Sequence, residues 1–189
     1  MAKCPICNSR KGQRPCLIAT GPVCSFCCGN TRQPDSCSEC RFYQKPKRSY
    51  NDVPAFAVTE MDGDFELASY SNAIEGALCA FDVKNKNGLQ DSDAISIIEA
   101  LIDLHYFGDN KTKDESDSQL IVNGVDFVER AIKTDLHNVD NEEIVKILGV
   151  VRFVARRRAK SAITGREYMN VIHRYVGLRI GPGMQALRI

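Results

Sequence analysis

The sequence predicts a mainly α-helical protein in which a small cysteine-rich zinc module precedes a bundle of about five helices. Two observations predict this fold class. Eight of the nine cysteines lie within the first forty residues, and beyond residue 60 apolar side chains recur at helical spacing over several long stretches. We therefore expect a zinc-binding module at residues 1–43, a linker at 44–60 and an α-helical domain at 61–189.

The composition, the lack of long apolar runs and the N-terminal residues together predict a soluble protein of the cytoplasm. Hydrophobic residues make up 43% of the chain and charged residues 26%, as in ordinary globular proteins. No apolar run reaches the roughly 18–20 residues that cross a bilayer, so no membrane association is expected. The start, MAKCPICNSRKGQ, lacks the apolar segment of a secretory signal. Because cytoplasmic thiols stay reduced, the cysteines indicate metal binding rather than a disulfide framework.

The spacing of the cysteines predicts two metal sites. From Cys4 to Cys40 the pattern is C-x2-C-x8-C-x7-C-x2-C-C-x8-C-x2-C. Each of the three C-x2-C pairs can present both of its sulfurs to one ion. Eight thiolates complete two tetrahedral sites with four sulfurs each, the coordination of structural zinc. We expect two Zn²⁺ per chain, which supply folding free energy to a segment with few large apolar side chains.

The two ligand sets interleave along the chain and would therefore cross-brace the module. We expect site 1 to be formed by Cys4, Cys7, Cys24 and Cys27, and site 2 by Cys16, Cys28, Cys37 and Cys40. A pairing of Cys24 with Cys28 in one site stays open. Iron–sulfur ligation and a redox dithiol are the competing interpretations, although the C-x2-C-x2-C-x3-C-P run of bacterial ferredoxins is missing. Four thiolates leave no coordination position for water, so the sites are expected to be structural.

The stretch from CPIC through VCSFCCGNTR to CSECRFY resembles the short cysteine-rich zinc modules at the N-termini of many uncharacterised bacterial proteins. Those modules combine a CPxC knuckle, a CxxCCG box followed by a basic residue, and a closing CxxC with an aromatic residue. The matching positions are Cys4, Pro5, Cys7, Cys24, Cys27, Cys28, Gly29, Arg32, Cys37, Cys40 and Tyr43. The resemblance covers residues 1–43 and implies metal binding. The chain departs from the pattern in the closing CSEC, which lacks the proline expected in the final knuckle.

Charge is strongly segregated along the chain, although the formal net charge is only +1. Residues 1–50 carry nine Lys and Arg against two acids, and residues 151–189 carry nine against one. The segment between them has seven Lys and Arg against twenty-one acids. Two basic ends thus flank an acidic middle.

The basic ends are candidates for contact with an anion or a nucleic acid. The residues we assign to such contact are Arg10, Lys11, Arg14, Arg32, Arg156, Arg157, Arg158 and Lys160. Two purely structural roles for these cations stay open. Those near the cysteines can offset the negative charge of a zinc–thiolate centre, and those near the C-terminus can pair with the acidic middle, within one molecule or between copies.

Helical periodicity predicts five helices in the second domain, and their approximate spans are 64–81, 93–107, 118–134, 141–160 and 165–176. Asp91 or Ser92 is the expected N-cap of the second of them. The fourth, with an almost wholly apolar middle, is predicted to be the buried central helix. Phe65 is among the side chains that we expect in the core.

The sequence shows no catalytic constellation. His105, His137 and His173 lie far apart and are interpreted as structural, and Cys79 is interpreted as a buried small side chain. We therefore expect a non-enzymatic zinc protein that contacts nucleic acid, or an assembly bound to it, through its basic ends. The alternative is a zinc-dependent protein–protein adaptor with an oligomerising helical domain. An enzyme assembled from distant residues is the third hypothesis, and no small-molecule substrate is evident.

Overall fold

The computed structural model describes residues 2–43, 48–109, 118–160 and 163–186. The chain divides into two compact units, Met1–Ser49 and Tyr50–Ile189. The predicted fold class is confirmed at the level of a mainly helical protein with a cysteine cluster near its N-terminus.

The cysteine-rich unit contains little regular structure. Its helices are α1 (Ser25–Asn30) and α2 (Pro34–Cys37). Isolated antiparallel bridges pair Lys3 with Lys11 and Arg14 with Val23. Gly12 follows the first bridge, at a place where a Cβ atom would overlap the backbone carbonyl of Pro22. This close approach requires glycine, because any side chain would push the two segments apart.

The helical unit consists of six helices and a hairpin in the described part of the chain. The helices are α3 (Val58–Met61), α4 (Phe65–Lys84), α5 (Asp91–His105), α6 (Gln119–Asp135), α7 (Asn141–Ala159) and α8 (Glu167–Tyr175). Helix α5 packs against α6 and α7, and α4 packs against α6, α7 and α8. The five long helices match the predicted spans to within three residues at each end, because their apolar side chains face a common core.

One burial prediction for these helices was wrong, and another holds in part. Phe65 is 90% exposed, because it occupies the first position of α4 and points away from the core. Most of the apolar middle of α7 is buried, including Ile147, Leu148 and Val151, whereas Phe153 is 56% exposed. The apolar run of α7 is therefore buried on most sides of the helix but not on all.

Part of the predicted linker belongs to the helical unit. Tyr50, Val53 and Phe56 pack against the core of that unit. The backbone carbonyl of Pro54 lies so close to Gly149 on α7 that a Cβ atom there would overlap it. The segment from Tyr50 to Ala57 is thus fixed along α7, and the domain boundary falls at Ser49, within the expected linker.

The chain continues beyond α8 into a hairpin that the sequence did not predict. Strands β1 (Leu178–Gly181) and β2 (Met184–Ala186) are antiparallel, and Gly183 between them has a φ of +64°. Strand β1 packs on α4. The guanidinium of Arg179 donates to both carboxylate oxygens of Asp135, at 2.5 and 2.7 Å, and so attaches the hairpin to the end of α6.

Candidate metal centre

Four cysteine sulfurs converge in the N-terminal unit. The Sγ atoms of Cys4, Cys7, Cys24 and Cys27 all lie within 4.8 Å of one another. Those of Cys7 and Cys24 are 3.9 Å apart. Cys4, Cys24 and Cys27 are buried, and Cys7 is partly buried. Four sulfurs at such separations can surround one tetrahedral ion, and this is the set that the spacing predicted for site 1.

The first two of these sulfurs come from a tight turn. The backbone N–H of Asn8 donates to the carbonyl of Cys4, and the N–H of Cys4 donates to the carbonyl of Arg10, both at 2.8 Å. Asn8 has a φ of 54°, in the left-handed region that asparagine tolerates better than most residues. The turn brings Cys4 and Cys7 onto the same side of the chain, as a metal-binding knuckle requires.

The other two sulfurs come from the start of α1. Cys24 is the N-cap of this helix, and its Sγ accepts the backbone N–H of Cys27 at 3.4 Å. Val23, directly before it, exchanges backbone hydrogen bonds with Arg14. The short helix therefore positions Cys24 and Cys27 one turn apart, while the bridge to Arg14 connects them to the segment that follows the knuckle.

The Cys7 and Cys27 thiols differ in acidity. A side-chain hydrogen bond from Ser9, together with backbone N–H groups of Arg10 and Ser9, lowers the pKa of the Cys7 thiol to about 5. Burial, reinforced by the hydrogen bond with Cys24, raises the pKa of the Cys27 thiol to about 12. A bound cation would favour the thiolate form of all four, so binding would release protons and strengthen with rising pH.

The cysteines predicted for site 2 are not gathered in the same way. Among the described residues, Cys4, Cys7, Cys24 and Cys27 are the group with mutually close ligand atoms. Cys16, Cys28, Cys37 and Cys40 are all partly buried and do not share a disulfide. Cys28 Sγ accepts from Arg14 Nη1 at 3.8 Å, and the N–H of Cys40 donates to the carbonyl of Cys37. The structure thus supports one metal site by geometry.

The predicted anion-contact residues of the N-terminal unit are partly engaged with aromatic rings. The guanidinium carbon of Arg10 lies 4.5 Å from the centroid of Phe26, and that of Arg14 lies 5.2 Å from the centroid of Phe42. Lys11 and Arg32 are exposed. Such stacking stabilises the arginine side chain and leaves the N–H groups at the edge of the guanidinium plane able to donate hydrogen bonds.

Several cations of the C-terminal segment pair with the acidic middle, which is one of the two structural roles expected for them. Arg152 and Arg156 both donate to Oε1 of Glu99, at 2.8 and 3.0 Å. Among the assigned contact residues, Arg156 is therefore already in an ion pair. Arg157, Arg158 and Lys160 lie exposed at the end of α7.

The three histidines make hydrogen bonds within the helical unit. His105 contacts Asn141 Oδ1 through Nδ1 and Glu129 Oε2 through Nε2, at 2.7 and 2.8 Å. His173 Nε2 lies 2.7 Å from Asp82 Oδ2, and His137 Nδ1 lies 3.1 Å from the carbonyl of Thr134. Cys79 is fully buried in the core.

Sequence reasoning missed the buried acids of the helical unit. Asp82 is fully buried, and Asp91 is 2% exposed. Burial raises the pKa of the Glu75 carboxyl to about 7, although one of its oxygens accepts from the Tyr168 hydroxyl at 2.9 Å. The available signal was an acid at an apolar helical position, such as Asp82 four residues after Leu78.

The fold and the site together define a mainly helical protein with a candidate tetra-cysteine metal centre. None of the helices in the described part of the chain is long and apolar enough to cross a membrane. No family model matches the sequence, and no curated protein or solved structure is significantly similar to it.

Proposed function

We propose that this chain is a zinc-binding protein in which metal holds the N-terminal unit together. The observation that carries this proposal is the convergence of the Cys4, Cys7, Cys24 and Cys27 sulfurs within 4.8 Å. An all-sulfur tetrahedral set is typical of structural zinc. These sulfurs lie in a small buried cluster. Among the described residues, its buried members are Cys4, Cys24, Cys27 and a single apolar residue other than cysteine, Val23. Metal binding would therefore supply most of the free energy that folds this unit.

A second zinc ion, bound by Cys16, Cys28, Cys37 and Cys40, is part of the proposal. Its support is the sequence: these four complete a second set of thiolates, and Cys28 adjoins a site 1 ligand. We propose that metal draws these sulfurs together. With all coordination positions filled by sulfur, neither ion would activate water, so we propose a binding protein rather than an enzyme.

Metal analysis tests both sites. We expect two zinc ions per chain and no visible absorption, and a visible band from iron would contradict the proposal. Cys40→Ser should retain one zinc, whereas Cys79→Ala should retain two, because Cys79 lies in the core of the other unit. One zinc in the wild-type chain would refute the second site and leave the first intact.

We further propose that the basic surfaces of the protein contact nucleic acid or an assembly that contains it. The support is the number of exposed cations, which include Lys11 and Arg32 near the cysteines and Arg157, Arg158 and Lys160 at the end of α7. Each cation that neutralises a phosphate releases a counterion, so affinity should fall as salt rises.

Binding to mixed DNA and RNA over a range of salt concentrations tests this contact. We expect measurable affinity at about 50 mM salt, with a salt slope that decreases by about 1 for Arg32→Gln. The matched control is Arg130→Gln, an exposed arginine on α6 outside the proposed surfaces. The absence of binding at the lowest salt would exclude this function.

One observation favours the adaptor alternative. The N-terminal unit exposes large apolar side chains, which are Leu17 (68%), Phe26 (57%), Ile18 (47%) and Ile6 (44%). Exposed apolar side chains are common at protein–protein contacts. If Phe26→Ala and Leu17→Ala abolish association with a co-purifying protein in the absence of nucleic acid, the adaptor function replaces the nucleic-acid one.

A further inference from the structure

An open cavity of about 550 Å³ lies on the helical unit beside α8. It is lined by Asn87, Arg166, Asn170, His173 and Arg174. The last four stand at positions i, i+4, i+7 and i+8 counted from the N-cap of α8, and therefore share one face of the helix. None of the described side chains that line the cavity is acidic, and two are permanently cationic.

Asp82 holds two of the lining residues in place from behind. Its Oδ2 accepts from Arg166 Nη2 at 2.8 Å and lies 2.7 Å from His173 Nε2, while its Oδ1 accepts the backbone N–H of Leu89 at 2.9 Å. Arg166 also donates to the carbonyl of Leu89. The side chains of Arg166 and His173 are only 18% and 11% exposed, so both are fixed before any ligand arrives.

Asn87, the remaining lining residue, is held by the turn that follows α4. The backbone N–H of Asn87 donates to the carbonyl of Asp82 at 2.8 Å. Lys86 and Asn87 both have left-handed φ angles, 59° and 58°. Two successive residues in this region are uncommon, and such conformations cluster at functional sites.

The cavity has unsatisfied capacity for an anion. Arg166 and Arg174 supply two positive charges against the single negative charge of Asp82, and the amide of Asn170 adds donors. Nδ1 of His173 is buried and has no hydrogen-bond partner in the described structure. A buried polar atom without a hydrogen-bond partner is unfavourable. A ligand that gives this nitrogen a hydrogen-bond partner would therefore bind more tightly.

We propose that this cavity binds a phosphate group, either as free inorganic phosphate or as the monoester of a small molecule. A guanidinium group can pair with two phosphate oxygens at once, and Arg174 is the lining cation that is not held by Asp82. Arg174 and Asn170 are exposed and would approach the ligand, while Arg166 and His173 form the prearranged floor. The site does not depend on the proposed zinc or nucleic-acid functions, because none of the residues assigned to them lines it.

Titration of the full zinc-loaded chain with inorganic phosphate, followed by NMR at constant ionic strength, tests the proposal. The imidazole signals of His173 should shift with saturation at a dissociation constant of about 1 mM or tighter. The signals of His105 and His137, which lie outside the cavity, should not. A parallel titration with ribose 5-phosphate distinguishes the two possible ligands. Binding that is tighter than that of inorganic phosphate identifies a monoester as the ligand, whereas equal or weaker binding identifies free phosphate.

Arg174→Gln and Asn170→Ala leave the Asp82 contacts intact, so these variants should fold. Arg174→Gln should weaken phosphate binding by about tenfold or more. Arg130→Gln, an exposed arginine on α6 that belongs to neither this cavity nor the proposed nucleic-acid surfaces, is the matched control and should bind as the wild type does. Shifts that do not saturate, or equal weakening by Arg174→Gln and Arg130→Gln, would overturn the proposal and show general attraction of anions to surface cations.

Discussion

The carboxylate of Asp91 caps a helix other than its own. Its Oδ2 accepts the backbone N–H of Tyr168 at 3.1 Å, and its Oδ1 accepts that of Met169 at the same distance. These are the second and third residues of α8, whose N–H groups have no partner within the helix. A residue at the start of α5 thus completes the start of α8.

We expect Asp91→Ala to lower the free energy of unfolding of the helical unit by about 2–4 kcal/mol, because it removes a cap and leaves two buried N–H groups without acceptors. Urea unfolding followed by far-UV circular dichroism measures this change. Asp126→Ala, at an exposed position on α6, is the control and should stay within about 0.5 kcal/mol of the wild type. Equal stability of the two variants would show that the cap contributes nothing.

A second prediction concerns the glycines of the cysteine-rich unit. Gly12→Ala should weaken zinc affinity and destabilise this unit, since the new Cβ would overlap the backbone carbonyl of Pro22. Gly29→Ala is the matched control, because a Cβ at Gly29 in α1 meets no atom within 4 Å. Competition with a chromophoric chelator measures the affinity of each variant. The prediction fails if both variants release zinc equally readily.

A third prediction follows from the raised pKa of Glu75. The folded-state pKa is about 7, whereas the value for a solvated glutamate is 4.5. The folded chain therefore binds this proton more tightly than the unfolded chain does. The stability contributed by the protonated carboxyl is fully present below pH 4.5, falls as pH rises to about 7, and is constant above that.

Glu75→Gln should abolish this fall, because the amide does not ionise and can still accept from the Tyr168 hydroxyl. Between about pH 5 and about pH 8, the variant should gain up to about 3 kcal/mol of unfolding free energy relative to the wild type. The comparison uses urea unfolding at both pH values. Glu142→Gln, with its side chain 77% exposed, should show no such difference. A pH-independent gap for Glu75→Gln would refute the raised pKa.

A fourth prediction compares two arginine ion pairs of different burial. Arg166→Gln leaves the fully buried Asp82 without its main cation and should destabilise the helical unit by about 3 kcal/mol. Arg156→Gln removes a half-exposed cation from Glu99, which keeps Arg152, and should cost less than about 1 kcal/mol. Thermal unfolding ranks the two variants. A larger loss of stability for Arg156→Gln would contradict the conclusion that the buried Asp82 carboxylate depends on Arg166.

The helices were predictable because their apolar residues repeat at a fixed spacing. The spans predicted at 118–134 and 141–160 differ from α6 and α7 by one residue or less at each end. The set of Cys4, Cys7, Cys24 and Cys27 was predictable for a similar reason, since each C-x2-C pair is local.

What could not be predicted depends on distant parts of the chain. Asp91 or Ser92 was expected to cap α5, but Gln90 holds that position, and Asp91 contacts α8 instead. The prediction was wrong because a capping side chain looks the same in the sequence whichever helix it serves. The packing of Phe56 on the core and the hairpin after α8 were unpredictable for the same reason. Their sequences have no helical or strand periodicity, and contacts with distant parts of the chain determine their structure.

The burial of Asp82 and Asp91 also has a consequence during translation. Arg166, the N-cap of α8, follows Asp82 by 84 positions, and Tyr168 in α8 follows Asp91 by 77. When α4 and α5 leave the ribosome, these two carboxylates therefore lack the partners that α8 supplies and stay hydrated. The core to which both helices contribute can close only after α8 has been synthesised, so nascent chains that stall before α8 should remain open and available to chaperones.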